Sequence, residues 1–460
     1  MKWTILFIIH GLDEGLQEQS TILRNVISHG NWSLKYINLL YLKSEIVPEG
    51  RNKKYVAVLN RVSPWEERRR GEPDVTVVKR FANINIGSKN RMADVFSFVR
   101  NNYPAERLML MMFDHGAGFG IFDAIPKENR PVYYESIGDL DYNILSANKK
   151  DVKRVLVPSM YYQYKTDRPK KKAARLSGGV SAERVKDQLR YYGKKYAATD
   201  MLTMEELSIS IRRGFRKKVD VMVLVNCNMQ MAETAYSLRN SVEYLVASES
   251  LFWVYGINYR EVLWQLDNIR NISPAKVAAR CVETMPFRYE RIFKKENLND
   301  VSFTALHVAR MDLLFEKFDE LAGSWLKEPE KYIPLLGKAR KAGADLSQFN
   351  YTREQREKYE PLFFYDLLHL IKCAAPRDNR VKEIIRLFMK ARIARYIGSD
   401  FRKGRTSIVN GMSVYFPFNA DDFEMKYFGL FYKEDARFKV DFANTNWGRL
   451  IRAIKKQAES

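Results

Sequence analysis

Residues 108–120 read LMLMMFDHGAGFG, an apolar run followed by two polar residues and a glycine-rich turn. An apolar run of this length, bounded by turn residues, predicts a strand that is buried on both faces of a sheet. His115 therefore lies just past the end of a strand. Gly116 and Gly118 keep side chains out of the turn behind it, so that a backbone N–H group can approach a ligand there.

A second apolar run, VDVMVLV at Val219–Val225, is followed by Asn226 and Cys227. In open α/β sheets, sites gather at the carboxyl ends of the strands. His115 and Cys227 both lie just past such ends, so we expect them to be neighbours in space despite their separation in sequence. A thiol beside an imidazole is the pair that nucleophilic catalysis by cysteine requires. The two strand ends therefore predict a cysteine hydrolase.

Strands alternate with helical patterns over the first part of the chain, which indicates an α/β fold with a mostly parallel sheet flanked by helices. The predicted strands are Trp3–Ile9, Tyr55–Arg61, Val75–Arg80, Leu108–Phe113, Val219–Val225 and Glu243–Ala247. Thr203 and Glu206 form a capping-box pattern that opens a helix before the cysteine strand. A further helix is predicted at Ala232–Arg239, and its N-terminal end would stabilise a thiolate at Cys227.

Beyond residue 300 the pattern becomes mainly helical. Tyr365–Ala374 and Val381–Tyr396 show amphipathic spacing, and GMSVYFP at 411–417 returns to strand character. We therefore expect a catalytic α/β domain over residues 1–300 and a C-terminal helical subdomain over residues 301–460.

The composition is that of a soluble globular protein, since 46% of the 460 residues are hydrophobic and 29% are charged. The three cysteines cannot all pair, and they are spread too widely for a metal signature. Neither a disulfide framework nor a zinc site is predicted. Cys281 and Cys373 lie in helical patterns and are expected to be core or half-buried thiols.

No stretch of about 18 consecutive apolar residues is present, so no transmembrane helix is predicted. The N-terminal run MKWTILFIIHG is too short for the core of a signal peptide and is expected to form the first strand. The sequence favours the cytoplasm on this ground. Secretion or the cell envelope stays open if a leader precedes this chain.

The net charge of +22 is unevenly distributed, because Lys149–Lys195 holds 15 Lys and Arg against 4 Asp and Glu. A proline and paired glycines at the centre of this segment favour an exposed loop over core. Three interpretations stay open: a solvated surface insertion, a protease-sensitive activation loop and a nucleic-acid patch. The last is the least favoured, because the basic residues accompany no recognisable nucleic-acid module.

The chain resembles the clostripain-like cysteine peptidases, which have a caspase-like fold. The resemblance runs through most of the chain in order. Its segments are KWTILFII with LDEGL at the N-terminus, RMADVFSFVRNNYPAERLMLMMFDHGAGFG at 91–120, the segment at 200–250 that contains VDVMVLVNC, and GMSVYFP at 411–417. An ordered succession is more specific than any one of these motifs.

The resemblance implies an endopeptidase in which Cys227 is the nucleophile and His115 the general acid and base. The main-chain N–H groups of Gly116 and Cys227 would hold the oxyanion. It also implies a zymogen-like loop between the histidine and cysteine strands that is cut at a basic residue, an interval that Lys149–Lys195 occupies. No cofactor is required, although calcium stays open because some clostripain-like enzymes need it. The partners expected are peptide or protein substrates.

One departure from the family concerns specificity. The family typically has Asp-Ala-Cys at the nucleophile, and this aspartate forms the base of the pocket that selects Arg or Lys before the scissile bond. Here the tripeptide is Val225-Asn226-Cys227. A cationic side chain gains little from a pocket based on valine, so the preference for basic residues is expected to be weakened.

Other residues are candidates for the substrate site. The carboxylates that could substitute for the missing aspartate are Asp13, Glu14, Asp114 and Glu249. By resemblance, Trp253 and Tyr255 line the substrate groove. One alternative function stays open, a catalytically silent caspase-like scaffold that uses its cationic surface to hold acidic partners.

Overall fold

The computed structural model describes residues 2–10, 14–49, 52–82, 87–116, 118–122, 125–126, 196–197, 201–252, 256–286, 301–347, 349, 362–403, 406–417, 432 and 440–457. The strands, in chain order, are β1 Trp3–Ile9, β2 Ile37–Glu49, β3 Asn52–Val62, β4 Val75–Ala82, β5 Arg107–Phe113, β6 His115–Gly116, β7 Gly120–Phe122, β8 Ile125–Pro126, β9 Tyr196–Ala197, β10 Met201–Thr203, β11 Val219–Val225, β12 Val242–Ser248, β13 Ser302–Leu306, β14 Phe364–Asp366, β15 Arg392–Ile397, β16 Arg402–Lys403, β17 Thr406–Ser407 and β18 Ser413–Tyr415.

The helices are α1 Glu14–His29, α2 Trp65–Arg68, α3 Lys89–Asn102, α4 Met204–Gly214, α5 Ala232–Leu238, α6 Tyr259–Asn268, α7 Pro274–Glu283, α8 Asp312–Trp325, α9 Pro329–Ala342, α10 Leu367–Ala374, α11 Asn379–Ala391 and α12 Asn446–Gln457. The predicted capping box is confirmed at the start of α4. The Thr203 hydroxyl accepts from Glu206 N, and the Glu206 carboxylate accepts from Thr203 N.

A nine-stranded sheet in the order β15-β13-β12-β11-β5-β1-β2-β3-β4 forms the centre of the fold. The five adjacent strands from β12 to β2 run parallel, and antiparallel strands extend the sheet at both margins. The predicted α/β fold with a mostly parallel sheet is confirmed. The predicted strands Trp3–Ile9 and Val219–Val225 have the bounds that the structure shows.

Side chains alternate between the two faces of the sheet along each central strand. On β11, Met222 and Leu224 join one hydrophobic cluster, and Val221, Val223 and Val225 join the other. The first cluster is covered by helices that include α3, α4, α5, α8 and α11, and the second by α1, α6 and α7. Strands buried on both faces explain why β5 and β11 are mostly apolar, and their charged residues, Arg107 and Asp220, pair with each other at 2.6 Å.

The predicted helix at Val381–Tyr396 is wrong in its last part. Helix α11 ends at Ala391, and the next residues form β15, which pairs antiparallel with β13. The sequence RIARYI of β15 alternates between half-buried and exposed positions, as a strand at the margin of a sheet does. Strands from 301–460 thus share one sheet with strands from 1–300, and the predicted domain boundary stays a prediction.

Glu233 anchors a C-terminal segment on helix α5. Its side chain is 1% exposed, and its Oε1 accepts hydrogen bonds from Tyr415 N at 3.0 Å and from the Tyr432 hydroxyl. Burial raises the pKa of Glu233 from 4.5 to about 7. The carboxyl is therefore neutral in the folded protein at pH values where it is charged in the unfolded chain.

This anchor makes stability depend on pH. Because the folded-state pKa is the higher one, its contribution is fully present below pH 4.5 and is lost as the pH rises to about 7. The loss amounts to about 3 kcal/mol of unfolding free energy. Glu233→Gln removes the titrating group, so its melting temperature should fall less between pH 5 and pH 8 than that of the wild type. Glu316→Gln, at an exposed position, is the control, and equal slopes for all three proteins would contradict this account.

Within the described residues, no helix combines the length and the apolar character needed to cross a membrane.

Candidate active site

The carboxyl ends of β5 and β11 lie side by side, and they carry the predicted histidine and cysteine. The two strands pair in parallel up to Val225 opposite Phe113. His115 and Cys227 each lie two residues beyond this last pair. The chain turns after Phe113, so that His115 and Gly116 form β6 and pair antiparallel with β7.

Gly116 shows how closely the two strand ends approach. A Cβ atom added to it would lie 2.6 Å from Asn226 Cβ, 2.8 Å from Cys227 O and 2.9 Å from Met229 Cγ. These distances are too short for any side chain, so glycine is required by close approach here. The structure therefore brings together the segments that contain His115 and Cys227, as the sequence predicts.

The Cys227 thiol contacts the loop that follows β12. Phe252 N–H points to the Cys227 sulfur, with 3.4 Å between N and Sγ, and Phe252 O lies 3.7 Å from Sγ. Asn228 N donates to Ser250 O at 2.9 Å, so the residue after Cys227 is bonded to the same loop. Cys227 is partly exposed, whereas the side chain of His115 is 8% exposed. The main chain of Phe252 thus offers the Cys227 sulfur both a donor, its N–H, and an acceptor, its O.

Helix α5 begins at Ala232, as predicted, after an irregular stretch in which Asn228 has a φ of 55°. The stabilisation of a Cys227 thiolate by this helix stays a prediction. The donor that sequence reasoning missed is the main chain of Phe252, which no sequence motif marks.

Val225, the last residue of β11, has an apolar setting. It is 4% exposed and belongs to the same hydrophobic cluster as Phe113, Phe252 and Ile257. Whether this position determines the substrate preference stays a prediction.

The two candidate substitute carboxylates that the structure describes have partners inside the fold. Asp114 is buried, and its Oδ1 accepts from His115 N at 2.7 Å. Glu249 is 1% exposed and accepts from the Ser302 hydroxyl at 2.7 Å. Burial and the neighbouring charge of Asp366 raise the pKa of Glu249 well above its usual range. A substrate role for either carboxylate stays a prediction.

Several predicted residues lie outside the described residues or have no described side chain. Asp13, Trp253, Tyr255 and the basic segment 149–195 are outside, and Glu14 opens α1 without a described side chain.

The two other cysteines lie away from the strand ends, on helices α7 and α10. Cys281 is buried in α7, as predicted, whereas Cys373 on α10 is exposed rather than half-buried. Across the part of the chain that the structure describes, no group of three or more His, Cys, Asp or Glu side chains could hold a metal ion. The possible use of calcium stays a prediction.

Two solved structures share this architecture. The secreted C11 cysteine protease iotapain from Bacteroides thetaiotaomicron is 14% identical, with a TM-score of 0.56 over 90% of this chain and 93% of that chain. A secreted C11 cysteine protease from the same organism, in complex with an irreversible peptide inhibitor, is 15% identical, with a TM-score of 0.52 over 96% and 99% of the two chains. At these identities the likeness shows the fold. No curated protein sequence matches the chain.

A largely parallel α/β sheet with a thiol and an imidazole at adjacent strand ends is the architecture of an α/β cysteine peptidase. The family model of the Clostripain family matches residues 48–156 and 184–449, which is most of the chain. The chain belongs to the clostripain family of cysteine peptidases, and the resemblance described from its motifs is confirmed.

Proposed function

We propose that this protein is a cysteine endopeptidase in which Cys227 and His115 form the catalytic dyad. The observation that carries the proposal is the close approach of Gly116 to Asn226 and Cys227, with 2.8 Å between a Cβ built on Gly116 and Cys227 O. This contact joins the strand end that bears the imidazole to the strand end that bears the thiol.

The proposed reaction has two stages. The Cys227 thiolate attacks the carbonyl carbon of the scissile bond, and His115 gives its proton to the leaving amine, which leaves an acyl-enzyme. His115 then takes a proton from water, whose oxygen attacks the acyl carbon and releases the thiolate. The main-chain N–H groups of Gly116 and Cys227 are proposed to hold the negative oxygen at each stage. The N–H of Phe252 supports the charged sulfur between turnovers.

The substrate preference is proposed to differ from cleavage after Lys or Arg. Val225 occupies the position of the family's pocket aspartate, and its cluster partners Phe113 and Phe252 are apolar. A cationic side chain bound there would lose water without gaining a charged partner. An uncharged substrate side chain of moderate size would instead bind more tightly there, because it makes apolar contacts. Cleavage of the basic segment 149–195 stays a prediction, because it lies outside the described residues.

A peptide library tests the function and the preference together. We expect the wild type to cleave, Cys227→Ala to be inactive, and bonds after Lys or Arg to be cleaved no faster than bonds after uncharged residues. Val225→Asp should raise the ratio of basic to uncharged cleavage by about 10-fold. Absence of cleavage by the wild type would favour the silent scaffold. A strong Lys or Arg preference in the wild type would show that another carboxylate replaces the aspartate.

A further inference from the structure

The side chain of Asn226 joins the two strand ends at the proposed dyad. It is 1% exposed, and its Nδ2 donates a hydrogen bond to Asp114 O at 2.7 Å. Asn226 directly precedes Cys227, and Asp114 directly precedes His115. One side-chain hydrogen bond therefore connects the residue before the proposed nucleophile to the residue before the proposed base.

This hydrogen bond lies just beyond the last backbone pairing between β5 and β11. The last carbonyl of β5, Phe113 O, accepts from His10 N on the side of β1 at 3.2 Å. Asp114 and Asn226 are the residues that directly follow Phe113 and Val225, the last backbone pair of β5 and β11. The hydrogen bond from Asn226 Nδ2 to Asp114 O therefore adds one more connection between the ends of β5 and β11.

Asn226 also contacts the residue on the other side of His115. Its Cβ is the nearest atom to the Cβ position of Gly116, at 2.6 Å. The same side chain thus donates to the residue before His115 and occupies the space that a side chain on the residue after it would need. The segment around His115 therefore packs closely against Asn226, the residue before Cys227.

We propose that Asn226 is a positioning residue that fixes the His115 backbone relative to the Cys227 thiol. The inference rests on the proposed dyad and deepens it. An alanine at position 226 would keep the Cβ that packs beside Gly116 but would lack the hydrogen bond to Asp114. In this chain the amide adds a rigid link, and losing it lets the imidazole move relative to the sulfur.

The test compares Asn226→Ala and Asn226→Asp with a matched control. Asn226→Ala deletes the donor, and Asn226→Asp places a carboxylate oxygen against Asp114 O. Asn60 is the control, because it is also buried and its Nδ2 donates to a main-chain oxygen, that of Val58, at 2.9 Å on β3. Asn60→Ala should therefore lose a similar interaction away from the site.

We measure kcat and KM on the best library peptide, the rate of Cys227 alkylation from pH 5 to pH 9, and melting temperature. We expect Asn226→Ala to lower kcat by about 10-fold and Asn226→Asp by about 100-fold, with KM changed less than about 2-fold, since misplaced reacting groups lower kcat. Both should slow alkylation of Cys227 below pH 7. Asn60→Ala should lower the melting temperature comparably and leave kcat and alkylation unchanged. If Asn226→Ala does not fold, Asn226→Ser replaces it, because its hydroxyl is too short to reach Asp114 O.

A kcat for Asn226→Ala equal to that of Asn60→Ala would overturn the proposal, and so would a change confined to KM. The dyad itself is checked separately with His115→Ala. If His115→Ala alkylates Cys227 as fast as the wild type does, the proposed function fails together with the role of Asn226. If His115→Ala is slow and Asn226→Ala is as fast as the wild type, only the role of Asn226 fails.

Discussion

The variant His115→Ala is expected to lower kcat/KM for peptide hydrolysis by about 10³-fold. Both proposed proton transfers, to the leaving amine and from the attacking water, lose their carrier in this variant. The proposed oxyanion donors, the main-chain N–H groups of Gly116 and Cys227, remain, so binding of the peptide should change much less than turnover. Steady-state kinetics on the best library peptide, with melting temperature as a check on folding, measures the effect.

His10 offers a matched control for this variant. It is buried, it also follows a parallel strand, β1, and it is also followed by glycine in the sequence. Strand β1 lies on the opposite side of β5 from β11, which places His10 away from Cys227. His10→Ala should keep kcat/KM within a few-fold of the wild type. A loss as large as that of His115→Ala would mean that the effect comes from disturbing this edge of the sheet.

Gly116→Ala is the second variant with a large expected effect. The new methyl group would lie 2.6 Å from Asn226 Cβ and 2.8 Å from Cys227 O. Neither atom can move away unless the backbone at Asn226 and Cys227 moves with it. Overpacking of this kind costs about 2 kcal/mol of unfolding free energy. Because this steric overlap can be relieved only if the two strand ends separate, we expect kcat to fall by about 100-fold.

The measurement is melting temperature together with kcat, and Gly343→Ala is the control. At Gly343 the nearest atom to an added Cβ is His369 Cδ2, at 3.2 Å, the tip of a side chain that can turn away. Gly343→Ala should change neither quantity strongly. If Gly116→Ala were as active as Gly343→Ala, the close approach of the two segments would not be part of the catalytic geometry.

Much of the fold is predictable because its central strands are buried on both faces. Strands β1 and β11 are predominantly apolar, with Thr4 and Asp220 as their polar residues, and their predicted bounds are those of the structure. The marginal strand β15 carries no such signal, since Arg392–Ile397 continues the amphipathic pattern of helix α11. Its strand conformation is determined by pairing with β13, a partner far away in sequence.

The candidate site also has a part that the sequence predicts and a part that it does not. His115 and Cys227 are predictable because strand ends in a parallel sheet meet at one edge. The hydrogen bonds around these two residues are not predictable from the sequence, because they depend on how irregular segments pack at that edge of the sheet. The main-chain N–H of Phe252 points to the Cys227 sulfur, and the Asn226 amide donates to Asp114 O beyond the last backbone pair of β5 and β11.

The most direct test of the account is the rate at which a peptide-like electrophile alkylates Cys227 at pH 6.5, with and without His115. Cys373, exposed on α10, is a reference thiol in the same sample, and peptide mapping by mass spectrometry distinguishes the two sites. We predict that His115→Ala slows alkylation of Cys227 by at least about 10-fold and leaves that of Cys373 unchanged. Equal rates at Cys227 in the two proteins would contradict the claim that His115 and Cys227 act as a pair.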